Sequence, residues 1–151
     1  MDFRNPILTA ALASAAILAA SDVFVGNWTL NVEKSKTSSG APFSARTMSI
    51  QSTSDGYRIK LSTNGTDLIL RLDGHDYPRE PFGVAKAVGA DAVTARRIDG
   101  RTIETTFKRN GKPVATVQRE VSGDGRVLTA TLDAVLLSGE KRHNIEVFEK
   151  R

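Results

Sequence analysis

The sequence has 151 residues and a mass of 16.3 kDa, enough for one domain with a full core and too little for two ordinary ones. With 40% hydrophobic and 25% charged residues, it is neither a disordered chain nor a collagenous or coiled-coil repeat. The net charge of +4 is spread thinly, six basic against five acidic residues up to Leu70 and fifteen against twelve beyond it, so no basic arm or patch points to nucleic acid.

Ile7 to Ala20 is a run of 14 residues interrupted only by Thr9 and Ser14 and free of charge. A helix crossing a bilayer needs about 20 apolar residues, whereas this shorter length suits the apolar region of a secretory signal. Ala19 and Ser21 are small residues at the two positions a signal peptidase reads for a cut before Asp22, and Leu18 with Ala20 offers a cut one residue earlier. Residues 1–21 are therefore expected to be a cleaved signal peptide, and residues 22–151 a mature domain in a bacterial periplasm or outside the cell. Asp2 offsets Arg4 at the start, and the competing reading of this segment is a buried N-terminal helix. With no Cys in the chain, neither a lipid-modified cysteine nor a disulfide can form. The processed domain is expected to be a monomer held by its core alone, with no stable membrane insertion.

From Asp22 onward, Asn-Gly or Asp-Gly pairs recur at Asp55-Gly56, Asn64-Gly65, Asp73-Gly74, Asp99-Gly100, Asn110-Gly111 and Asp124-Gly125, with Ser138-Gly139 a weaker seventh. Such pairs accept the positive φ of tight turns between antiparallel strands. The intervening segments alternate with period two. In chain order the apolar phases are Trp28, Leu30 and Val32; Met48 and Ile50; Tyr57, Ile59 and Leu61; Leu68, Leu70 and Leu72. After a longer interval come Val93 and Ala95; Ile103, Thr105 and Phe107; Ala115, Val117 and Val121; Leu128, Ala130 and Leu132. In the last segment Ile145 and Val147 oppose Glu146 and Phe148, which leaves its inward face open. Glu33 to Phe43 and His75 to Gly89 read as loops, the second as a lid over one end. The expected fold is all-β, an antiparallel up-and-down barrel of eight to ten strands in a meander, with a sandwich as the alternative.

Phe24-Val25-Gly26-Asn27-Trp28-Thr29-Leu30, at the head of the first strand, resembles the Gly-x-Trp signature of lipocalins and fatty-acid-binding proteins, the calycin superfamily. The resemblance implies that Gly26 and Trp28 close one end of the barrel, with the tryptophan under a basic side chain from the last strands. A nearer likeness is to small exported bacterial lipocalin-like proteins of unassigned function. They share a start like Gly26-Asn27-Trp28-Thr29-Leu30-Asn31, a middle like Asp73-Gly74-His75-Asp76-Tyr77-Pro78 and Arg97-Ile98-Asp99, and a hairpin from Lys108 to Gly111. The departures from fatty-acid-binding proteins are specific. There is no room between Trp28 and Met48 for their two-helix cap. Glu146 and Phe148 stand where that family places a carboxylate-binding arginine and its tyrosine partner, so its headgroup recognition does not carry over.

No motif in the chain points to catalysis. It has no Gly-x-Ser-x-Gly elbow, phosphate loop, cysteine nucleophile or His-Glu-x-x-His helix. Asp73, His75 and Asp76 cluster at a solvated turn, and His75 and His143 are the only histidines, so neither a metal nor a cofactor is expected. Glu146 and Glu149 fall on opposite faces of a strand. Arg97 and Arg119 continue the inward phases of their strands, and a guanidinium inside a barrel must either orient an anionic ligand or pack structurally at the barrel end. Arg96, Lys108, Lys141 and Arg142 are expected on the surface. The functional expectation is a non-enzymatic barrel holding a small apolar ligand among Leu61, Leu70, Phe107, Val117 and Leu132, with Arg97 and Arg119 facing it. The alternative is a packed barrel that acts on a protein partner through its loops.

Overall fold

The computed structural model describes residues 21–63, 65–79 and 83–151. The apolar segment Ile7 to Ala20, Asn64 of one predicted turn and residues 80–82 of the predicted lid lie outside the described residues. Eleven strands follow in chain order: β1 (Gly26–Leu30), β2 (Lys36–Thr37), β3 (Thr47–Ser52), β4 (Gly56–Leu61), β5 (Asp67–Arg71), β6 (Tyr77–Pro78), β7 (Ala92–Asp99), β8 (Thr102–Arg109), β9 (Lys112–Val121), β10 (Val127–Val135) and β11 (Lys141–Lys150). One helix, α1 (Val84–Val88), lies between β6 and β7. The strands form one antiparallel sheet in the order β5-β4-β3-β1-β11-β10-β9-β8-β7-β6, with β2 added against β11. This is the expected all-β meander: β3 to β5 and β6 to β11 pair with their neighbours in sequence, β1 pairs with β3 and β11, and β2 pairs with β11. The sheet curls until its two ends meet, where Asp73 bridges to Arg96 and the Gly74 N–H donates to the Ala95 carbonyl at 3.1 Å.

The turn chemistry does what the residue types require. Asn110 and Gly111 both take positive φ, 51° and 75°, between Arg109 and Lys112, the backbone of a two-residue turn whose twist matches the flanking strands. Both segments expected as plain loops carry some regular structure. The 33–43 segment contributes β2, which pairs Lys36 with Ile145, and the 75–89 segment contributes β6 and α1. With only five residues, α1 is too short to show a 3.6-residue period in the sequence.

The inward phases meet in a single core. Its densest part is a floor at one end of the barrel, where Phe24, Trp28, Ile50, Tyr57, Leu70, Ile103, Val121 and Leu128 are all but fully buried. Trp28 donates its indole N–H to the Phe24 carbonyl at 3.0 Å, and the Lys150 ammonium lies 5.1 Å from the centre of its ring. Gly26 makes that placement possible: its φ is +145°, and a Cβ there would come within 2.8 Å of Lys150 Cε. Arg97 lies at this end too, its guanidinium over the rings of Phe24 and Tyr57 and 2.6 Å from the Tyr57 hydroxyl. Tyr57 in turn donates to Asp22 at 2.5 Å.

Candidate functional site

Above the floor the barrel is hollow. The cavity has a volume of about 390 Å³, inside the range of about 300–1,000 Å³ for small-molecule sites. One wall is hydrocarbon: Met48, Ile59, Leu61 and Leu68 from β3 to β5, with Phe107 and Val117 from β8 and β9. At the mouth, Val84, Ala87 and Val88 of α1 complete the apolar lining. α1 is held there by the Leu137 N–H, which donates to the Ala87 carbonyl at 3.0 Å, and by Arg109 Nη1, which donates to the Val88 carbonyl at 3.3 Å.

The opposite wall is polar because β11 turns Arg142, Asn144, Glu146 and Phe148 inward. Pairing selects this phase: Phe148 stands opposite Leu30 and Leu128, both core residues. Glu146 forms an ion pair with Arg46, which enters from the segment before β3. Arg142 donates to Glu140 at 3.1 Å at the rim. Arg79 also lines the cavity, its Nη1 3.3 Å from the Asp67 carbonyl.

Arg119 is the most constrained member. It stands on β9 opposite Ala130 of β10, and Ala130 stands opposite Glu146 of β11. Nη1 donates to Thr105 Oγ1 at 3.1 Å, while Nε is enclosed and has no hydrogen-bond partner among the described residues. Burial pulls the guanidinium down to about 10 against the opposing field of the Glu146 carboxylate. The Nε atoms of Arg46 and Arg142 and the Oδ1 of Asn144 are likewise enclosed without partners. An apolar chamber with unpaired donors on one wall can hold an amphipathic anion.

Of the residues singled out from the sequence, Leu61, Phe107, Val117, Arg119 and Leu132 line this cavity. Leu70 and Arg97 do not. Leu70 pairs with Tyr57 in the floor, one layer below the cavity. Arg97 holds the inward phase of β7 but lies beyond the floor, where Phe24 and Tyr57 fill the barrel end, so it packs structurally over their rings. Arg142, expected on the surface, faces inward at the mouth. Arg46, Asn144 and Glu146 were missed as cavity residues. The signal that finds the β11 residues is the spacing of two from Phe148 once that residue is paired with Leu30.

His75 is exposed, with Nδ1 3.5 Å from Asp73. Among the described residues no group of three or more His, Asp or Glu is placed to hold a metal, and no helix is long and apolar enough to cross a membrane.

No protein-family model matches the sequence, and no curated protein matches it. Among solved structures, the chain is similar to the zebrafish ileal bile acid-binding protein in complex with cholic acid, at 14% identity and a TM-score of 0.54, over 85% of this chain and 99% of that one. The likeness shows the fold, an antiparallel up-and-down sheet of the fatty-acid-binding and calycin type.

Proposed function

We propose that this chain is a non-enzymatic binding protein that holds a small, mostly apolar molecule with one acid group inside the barrel, the acid on Arg119. The observation that carries the reading is that Arg119, a side chain lining the cavity beside its hydrocarbon wall, is buried with an Nε that has no hydrogen-bond partner among the described residues. A buried guanidinium short of partners costs stability, and a carboxylate between Arg119 and the mouth would supply the missing charge and acceptor together. Arg46 is paired with Glu146 and Arg142 with Glu140, whereas Arg119 has only the neutral Thr105 hydroxyl as its side-chain partner, which favours it as the seat of a monoanion. The apolar body of the ligand would rest on Met48, Ile59, Leu61 and Phe107. That the similar zebrafish protein is seen with cholic acid, itself an apolar body carrying an acid, agrees with this reading.

On the residues shared with exported bacterial lipocalin-like proteins we place the chain in that group, with Ile7 to Ala20 as the export signal. N-terminal sequencing of the native protein should then begin at Ser21 or Asp22, and a mature chain beginning at Met1 would reject export. The binding reading is tested by native mass spectrometry of protein purified from its own source without reconstitution. A bound small acid is expected, and it should be lost from Arg119→Leu. A ligand-free chain, or a co-purifying protein in place of a small molecule, would contradict it.

A further inference from the structure

The rim beside the cavity mouth carries apolar side chains that the core does not use. Along the end of β10 and the turn after it, Ala134 and Leu136 line the cavity, and the alternate residues Val135 and Leu137 are 41% and 63% exposed. Leu137 sits over the end of α1, where a Cβ on Gly89 would come within 2.7 Å of its Cδ2. Val135 stands opposite Lys141 of β11 and shares a shallow depression with it and with Pro113 and Val114 of β9. Around these apolar groups cations outnumber carboxylates, Lys86, Arg109, Lys112, Lys141 and Arg142 against Asp91, Asp133 and Glu140. Glu140 is held by Arg142, Asp133 by His143, and Asp91 accepts the Asn110 N–H. Lys86, Lys112 and Lys141 are exposed and have no ion-pair or hydrogen-bond partner among the described residues.

We propose that this rim docks on an anionic lipid surface, with Val135 and Leu137 entering the headgroup boundary and Lys86, Lys112 and Lys141 meeting lipid phosphates. Exposed apolar side chains grouped at one place mark an interaction surface, and a peripheral protein holds a bilayer by adding apolar burial to the attraction of its cations. Each unpaired lysine contributes about fivefold in affinity at an anionic surface. The same lysines would face one another in a contact between two copies of this chain, so the complementary occupant is negative. The choice of lipid over an acidic protein rests on the interior-site reading. Leu136 lines the cavity and Leu137, the next residue, is exposed, so an apolar molecule passing between a bilayer and the barrel at this lip stays out of water.

The test is co-sedimentation of the protein, as its own source processes it, with vesicles of phosphatidylcholine alone and of phosphatidylcholine mixed equally with phosphatidylglycerol. Binding should be confined to the anionic vesicles and should fall about tenfold or more between about 0.1 M and about 1 M salt, as the screening length shortens from about 10 Å to about 3 Å. Lys112→Glu and Lys141→Glu should each lower it about tenfold, and Leu137→Ser about fivefold. Arg101→Glu, the same reversal on an exposed turn at the closed end, should stay within about twofold of the wild-type protein. No binding to the anionic vesicles, an equal loss in Arg101→Glu, or unchanged binding in Leu137→Ser overturns the proposal. So does a free protein that sediments as a dimer split by Leu137→Ser, or an acidic protein retained through Lys112 and Lys141 in place of vesicles. Should Leu137→Ser not fold, the contrast between Lys141→Glu and Arg101→Glu decides. The readout contains no interior ligand, so docking holds or fails separately from the interior site, which native mass spectrometry reads.

Discussion

Arg119 on β9 and Glu146 on β11 occupy one row across the sheet with only the methyl group of Ala130 between them. A larger residue at the middle position would fill the space through which the carboxylate acts on the guanidinium. It would also take volume from the cavity, which Ala130 lines. Ala130→Leu is therefore expected to destabilise the fold by about 1–3 kcal/mol through overpacking and to weaken dodecanoate binding. Thermal midpoints and calorimetry check both, and wild-type affinity in a fully folded variant would show that the row does not shape the site.

Trp28 tests the closed end. It is fully buried, bonded to the Phe24 carbonyl and capped by Lys150. Trp28→Ala should cost about 3–5 kcal/mol, a large share of the roughly 5–15 kcal/mol holding a domain of this size. Trp28→Phe keeps a ring but leaves the carbonyl bare, for about 1–3 kcal/mol. Urea midpoints should fall in that order, and unchanged midpoints in both variants would remove the structural role of the Gly-x-Trp segment.

Tyr57 makes the closed end sensitive to alkali. Burial, and then the hydrogen bond it donates to Asp22, push its hydroxyl from 10.0 up to about 12, with Arg97 opposing. The fold therefore favours the protonated phenol, and this contribution is fully present below pH 10 and lost as the pH rises toward 12. The gap in urea midpoint between the wild-type protein and Tyr57→Phe should shrink across that window. A gap that does not vary with pH would mean that the hydroxyl is not held as described.

Most of the fold is legible in the sequence because period-two alternation and Asn-Gly or Asp-Gly turns are local properties of the chain. The site is less so. Alternation tells which face a residue takes but not how deep along the barrel it lies, which is why Arg97 and Arg119 look alike in sequence and occupy the closed end and the cavity respectively. In β11 each face carries apolar residues, and only the pairing of Phe148 with Leu30 and of Lys150 with Trp28 settles the phase. A polar inward face such as Arg142, Asn144 and Glu146 has the same letters as a solvated one. Arg46 precedes the first residue of β3 and lies outside any alternating run.

The central claim is that Arg119 is kept charged and short of partners for a ligand's acid group, at a cost to the empty fold. The measurement is a calorimetric titration of wild-type protein and Arg119→Leu with dodecanoate, alongside their thermal midpoints. Arg119→Leu should lose about ten- to a hundredfold in affinity while its empty form gains up to about 3 kcal/mol in stability, since a desolvated charge is removed. Unchanged affinity, or a variant that loses stability and binding together, would contradict the account.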